Sequence, residues 1–301
     1  MNLSFKAIEP TDKAIITSYT FNSPIQSCDI SFANMCSWHF LYKSEYTEVD
    51  GFLLIRFRIE IDGSYVYVFP IGNGDIRSVI SLLEEDSLRY GRPLSILGVT
   101  QVSKAILEET YPDGFTFESD PSYCDYIYLR EDLVNLTGKK YQPKRNHINR
   151  FRKQYNYRYL DISSELVPEC LRLESQWYKA NSAGDYQRAL QYERRSMTFA
   201  LNHADEIGLA GGAICVEEQI VAFAFGAPIN ANTFGVHVEK ADVSFDGAYS
   251  VINQEFAAHI PQNFIYINRE EDLGIPGLRQ AKRSYHPTIL LEKYRATRAL
   301  R

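Results

Sequence analysis

The sequence predicts an α/β or α+β fold made of two similar halves. Three observations carry this expectation. Strand-like and helix-like segments alternate along the 301 residues. The order of break, helix, turn and strand occurs twice, so that Gly72–Leu97 can be laid on Ser244–Ile267, with Ser78-Val79-Ile80 falling on Ser250-Val251-Ile252. The length itself suggests two domains at roughly 100–200 residues each. The expected division is an N-terminal domain over 1–140, a basic linker helix over 141–160 and a C-terminal domain over 161–301.

Residues 51–71 read as a β-hairpin, two apolar strands around the turn dipeptide Asp62-Gly63. Gly72-Asn73-Gly74-Asp75 breaks the second strand, and Asp75 is placed to N-cap a helix over 76–90, whose apolar stripe is Ile76, Val79, Ile80, Leu83 and Leu88. Leu94–Val99 follows as a short strand, then a helix near 101–110, a turn at Pro112-Asp113-Gly114 and a strand through Tyr126–Leu129. In the linker, Ile148, Phe151 and Tyr155 share one helical face and Pro143 suits the first turn. Helices are expected near 164–180 and 185–205. Ala210–Val216 and Ile220–Pro228 read as strands around Glu217-Glu218-Gln219, and Thr233–Glu239 as a third. Asp246-Gly247 then opens a helix over 247–259, and Phe264–Ile267 is the last expected strand.

Composition excludes several classes of protein. Hydrophobic residues make up 45% and charged residues 23%, which rules out a largely disordered chain. No run approaches the ~18 apolar residues of a membrane-spanning helix. Met1–Pro10 has no apolar h-region, so no secretory signal is expected. Five scattered cysteines with no CxxC pair argue against a disulfide framework and a structural zinc site, and make a reducing, cytoplasmic setting the simplest expectation. No metal site is expected.

The net charge is −6, which speaks against stable DNA binding. Yet Val134–Leu160 carries eight basic residues and no Asp or Glu, and Leu278–Arg301 carries seven basic residues against one acidic. Two basic blocks in an acidic body predict a focused anion site. On the linker, Arg145 and Asn149 share one face and Asn146 and Arg150 another. Together with Lys139, Lys140 and Lys144 these faces either clamp a phosphate or tie the two halves together. Trp177 and Tyr178 read as core, and His237, on a strand, as a hydrogen-bonded packing residue ahead of a base. There is no phosphate-binding GxxxxGK[ST] loop, no GxSxG elbow and no HExxH motif.

Three segments together carry a resemblance: Asp125–Leu133, Leu136–Phe151 and the run from Asn268 to Pro287 that contains Glu270-Glu271-Asp272-Leu273-Gly274 and Gly277-Leu278-Arg279-Gln280-Ala281-Lys282. The pattern resembles the family built on the C-terminal domain of phosphatidylglycerol lysyltransferase, and is also similar to the Fem-type aminoacyl transferases. The resemblance implies a tandem pair of GNAT-like domains, each a mixed, mostly antiparallel sheet flanked by helices. It implies an acyltransferase, with aminoacyl transfer from aminoacyl-tRNA to an amine or hydroxyl acceptor as the leading expectation. The acceptor is a lipid headgroup, a peptide or a small molecule. The alternatives are an acetyl-coenzyme-A-dependent N-acetyltransferase and a non-catalytic ligand-binding module.

Site roles follow from the same resemblance. Lys282 is expected to face the acyl-donor cleft, steadying a developing oxyanion or binding a donor phosphate. In an extended acidic run neighbours point to opposite sides, so Asp272 is expected inward, holding or deprotonating the acceptor. Arg269, Glu270 and Arg279 are expected at the substrate, the arginines pairing with the run, with Lys140, Arg145, Asn146, Asn149 and Arg150 supplying the basic face. No cofactor is required. If acetyl-coenzyme A is the donor, Gly247-Ala248 or Gly72-Asn73-Gly74 would have to cradle its pyrophosphate.

Overall fold

Two sheets organise the computed structural model, which describes residues 3–59, 63–181 and 187–299. The chain enters the first through β1 (Lys6–Ala7), β2 (Glu45–Val49), β3 (Phe52–Arg58), β4 (Tyr65–Val68), β5 (Ile71–Gly72), β6 (Ser95–Val99) and β7 (Phe115–Ser119). The next strand, β8 (Asp125–Leu129), leaves that sheet for the second. There it joins β9 (Tyr157–Asp161), β10 (Ala210–Val216), β11 (Gln219–Asn230), β12 (Thr233–Ala241), β13 (Tyr266–Asn268) and β14 (Ile289–Leu291), while β15 (Tyr294–Arg298) returns to the first.

The strand orders are β1-β2-β3-β4-β6-β15-β7, with β5 beside β3, and β9-β10-β11-β12-β13-β8-β14. Pairing types agree at every junction. The first four strands of each order are antiparallel. The next junction is parallel, β4 with β6 and β12 with β13. The last two are antiparallel again. The duplication read from Gly72–Leu97 and Ser244–Ile267 is therefore present, helix Ile76–Arg89 matching helix Ala248–His259 and β6 matching β13. Each half also lends its last strand to the other, β8 standing where β15 stands in the first sheet.

Local chemistry explains the elements that position the site. β3 and β4 pair as the predicted hairpin, closed by Ile59 and Ser64; Asp62 lies outside the described residues. Asp75 caps the following helix through Arg77 N. In the linker helix Gln142–Gln154, Ile148 and Phe151 are buried and Pro143 sits in the first turn. The helices expected at 164–180 and 185–205 are Val167–Asn181 and Gln187–Asn202, with 185–186 outside the described residues. One apolar core spans both halves, joining Phe32, Met35 and Leu53 to Leu173, Met197, Phe223 and Phe225. Truncating Phe223 or Phe225 to alanine would cost about 3–5 kcal/mol. No described helix is long and apolar enough to cross a membrane.

Candidate functional site

The second half opens at one place. β12 and β13 pair only over Thr233–Gly235 and Tyr266–Asn268, after which β12 continues to Ala241 and the other chain turns away. At the opening β12 carries a bulge: Phe225 faces Val238 and Gly226 faces Val236, leaving His237 unmatched. A bulge re-aims the extra side chain. His237 Nδ1 lies 2.8 Å from Glu270 Oε1, and its Nε2 lies 3.2 Å from Ser31 Oγ at the start of the first-half helix Phe32–Ser37. The opening is thus capped by the other half of the molecule.

The acidic run departs from the extended geometry expected of it. Glu270 and Leu273 have positive φ, 59° and 52°. That breaks the side-to-side alternation, so all three carboxylates turn inward to separate partners. Glu270 Oε1 accepts from His237 and from Asn34 Nδ2 at 2.7 Å. Glu271 Oε1 meets Lys293 Nζ at 2.5 Å. Asp272, wholly buried, is clamped by Arg279 at 2.7 and 2.9 Å, by Tyr126 Oη at 2.6 Å and by Gly274 N at 2.9 Å. The Arg279 hydrogen bonds hold its carboxyl down at about 2. At neutral pH it is a fixed anion and a poor proton acceptor.

Lys282 lies on the helix Pro276–Arg283 and is 7% exposed. Its Nζ donates to the carbonyl oxygens of Arg269 and Glu271, the two ends of the same turn. Burial lowers its pKa to about 8, against the pull of Glu270. Behind the turn Lys293 Nζ joins Asp125 Oδ1 at 2.9 Å, Asp29 Oδ2 at 3.1 Å and Cys28 Sγ at 3.7 Å. Cys28, Asp29 and Glu271 bring ligand-type atoms within 4.8 Å of one another, but the lysine ammonium already stands among them. Burial pushes Glu271 up to about 8.

Arg269 does not join the acidic run as expected. It turns to Glu239 at 3.1 Å, over the rings of Tyr128 and Tyr285. Lys144 stacks 4.0 Å above Tyr285, and burial, with Arg269 nearby, lowers its pKa to about 8. Lys144 is the linker residue that reaches the site. The others serve local structure. Arg145 donates to the carbonyls of Leu136 and Gly138, Asn146 bonds Gln142 at 2.8 Å, Arg150 pairs with Asp246, and Asn149 is exposed. Lys140 lies 3.8 Å from Asp132, and its carbonyl is 3.3 Å from His286 Nε2.

Protein backbone closely approaches both glycine turns. Gly247 has φ +95°, and a Cβ there would lie 2.6 Å from His147 O, so the linker helix covers the Gly247-Ala248 turn. A Cβ on Gly72 would lie 2.2 Å from Gly51 O.

Sequence reasoning put Lys282, Asp272, Arg279 and Glu270 in one neighbourhood, and the structure brings them there. His237 was read as packing; its signal, a bulge, is a property of pairing and leaves no mark in the sequence.

A family model described as phosphatidylglycerol lysyltransferase, C-terminal, matches residues 22–297. A crystal structure of a conserved protein of unknown function from Bacteroides thetaiotaomicron VPI-5482 is 49% identical, with TM-score 0.95 over 99% of this chain and 100% of that one. The structure of L-PGS from Bacillus licheniformis is 16% identical, with TM-score 0.67 over 98% and 94%. FemX is 8% identical, with TM-score 0.62 over 97% of each chain. Among curated proteins, uncharacterized protein MYCGA3080 of Mycoplasmoides gallisepticum is 24% identical over 175 residues, 58% of this chain and 56% of that protein. The chain thus matches little more than half the length of that relative. The L-PGS and FemX likenesses speak to fold: the tandem GNAT-like, Fem-type arrangement.

Proposed function

Because the chain belongs to the phosphatidylglycerol lysyltransferase C-terminal family, we propose that it is an acyltransferase that moves an aminoacyl group from aminoacyl-tRNA to an amine or hydroxyl acceptor. The acceptor is a lipid headgroup, a peptide or a small molecule. The observation that carries this reading is Lys282, an almost fully buried ammonium held against the 269–271 turn that follows β13.

In this reaction the acceptor nitrogen or oxygen attacks the ester carbonyl. A new C–N or C–O bond forms and negative charge gathers on the carbonyl oxygen. The ester C–O bond then breaks, and the tRNA hydroxyl leaves with the proton the acceptor gives up. Two of the three Lys282 N–H bonds are engaged by backbone carbonyls, and in this reading the third meets the oxyanion. A fixed donor of this kind in a dry site contributes about 3 kcal/mol to the transition state. Asp272 acts as a positioning residue: with Arg279 and Tyr126 it holds the turn on which Lys282 depends. Lys144, over the Tyr285 ring, supplies positive charge for the phosphates of the tRNA end.

The close approach of backbone to both glycine turns supports this donor ahead of acetyl-coenzyme A. The test is to incubate the protein with radiolabelled aminoacyl-tRNAs and cell extract and to follow label into lipid, peptide and small-molecule fractions. Transfer that vanishes in Lys282→Met supports the reading. Absence of label in every fraction, or binding of coenzyme A by calorimetry, overturns it.

A further inference from the structure

A cavity of about 40 Å³ lies at the seam between the halves, beside the bulge. Its walls come from the first-half helix Phe32–Ser37 with Trp38 just after it, the helix Gln187–Asn202 and the middle of β11 and β12. Asn34, Trp38, Glu193, Phe225, His237 and Glu270 are among its lining residues. Two carboxylates and no Lys or Arg line it. Glu193 is answered by Lys240 at 2.9 Å, whose ammonium lies over Trp177. Glu270 is answered differently. Its Oε1 accepts two N–H donors, while among the described residues no hydrogen bond reaches Oε2. Its backbone is fixed too, since Glu270 N donates to Asn268 Oδ1 at 2.7 Å and φ is 59°.

We infer that this cavity binds a small primary ammonium group, with Glu270 as its counter-ion and His237 as the acceptor of the proton that the group gives up. The inference rests on the acyl-transfer reading for its purpose and on the seam geometry for its substance. The chemistry selects the class. A half-buried carboxylate oxygen without a donor attracts a cation that brings its own N–H bonds. Trp38 and Phe225, aromatic side chains of the kind that attract cations, are in the same lining. The size selects a small head. Since roughly 10–15 Å³ of such volume holds one water, the space suits an aminomethyl or aminoethyl end.

The proton balance is simple. The ammonium R–NH3+ loses one proton, which ends on His237 Nε2 because Nδ1–H is already donated to Glu270 Oε1, leaving R–NH2 with a free electron pair and an imidazolium beside a carboxylate. No oxidant or further reactant is consumed. The amine freed in this way is the form that attacks an ester, so among the acceptors proposed above the site favours an amine. The titratable groups facing this step are Glu270, His237, Glu193 with its partner Lys240, and Lys282, which lies within the field of Glu270.

The test is a calorimetric and NMR titration of the full chain with ethanolamine, and with ethylene glycol as the neutral probe of like size. Saturable binding of ethanolamine in the millimolar range, with none of ethylene glycol, is expected. Glu270→Gln should weaken it about tenfold or more through loss of the charge-assisted contact. Ala200→Val, which narrows the cavity without touching a carboxylate, should weaken it as well and decides the matter if Glu270→Gln unfolds. Equal binding of the two probes, unchanged binding in both variants, or no binding of ethanolamine overturns the inference. No acyl donor is present, so that failure leaves the transfer reading standing. Loss of transfer with intact ethanolamine binding does the reverse.

Discussion

At the scale of single residues, the lowered basicity of Lys282 sets an upper pH limit on the proposed chemistry. Its ordinary value of 10.5 falls to about 8 on burial, so its charge disappears as pH rises through about 8. Transfer should fall over the same range, and Lys282→Arg, which stays charged, should remove that limb of the pH–rate profile even where it slows the reaction. Lys282→Met should lower kcat about 100-fold with little change in KM. Asp272 has the opposite sign. Its carboxyl is held at about 2, below the usual 3.8, so the stability it contributes is complete above 3.8 and is lost as pH falls through about 2. Acid unfolding of Asp272→Asn should be flatter across that window. Arg279→Ala, which leaves the Asp272 carboxylate without its cation, should lower the urea unfolding midpoint. At this scale the sequence was partly legible. Asp272 and Arg279 stand seven residues apart and their pairing could be expected, whereas the left-handed turn at Glu270 could not, because nothing in Glu-Glu-Asp announces a positive φ.

At the scale of elements, the linker helix does two jobs. Its apolar face, Ile148 and Phe151, packs on the second sheet's core, and its backbone at His147 covers the start of the helix Ala248–His259. Gly247→Ala therefore meets both an unfavourable φ of +95° and a carbonyl oxygen 2.6 Å away. A loss of about 2 kcal/mol is expected from thermal or urea unfolding. If stability is unchanged, the helix does not sit there. Elements with a clear apolar period, such as Ile76–Arg89 and β10 to β12, could be read from the residues alone. β15 could not: in Tyr294–Arg298 only Ala296 is buried, so the strand carries no alternating signal and is defined by its neighbours β6 and β7. The same holds for β9, whose residues are half-buried or exposed.

At the scale of the whole molecule, the duplication was legible as an element order, but the exchange of β8 and β15 was not, because an exchanged strand pairs far from its place in the chain. The exchange couples the halves. The two tryptophans report on this separately, Trp38 in the first half and Trp177 in the second. In single-tryptophan variants, Trp38→Phe and Trp177→Phe, the urea midpoints followed by fluorescence should coincide. Two distinct midpoints would mean that the exchanged strands do not bind the halves into one cooperative unit. The seam holds the site as well as the core, since Ser31 and Asn34 reach His237 and Glu270 across it. The same exchange bears on how the molecule is made. Thr116 of β7 meets a strand partner 181 positions downstream. A nascent chain emerging from the ribosome therefore carries a gap between β6 and β7 until β15 has been translated. The exposed edges of that gap need shelter during synthesis, and a stalled or shortened product would be prone to join its β6 edge to another molecule.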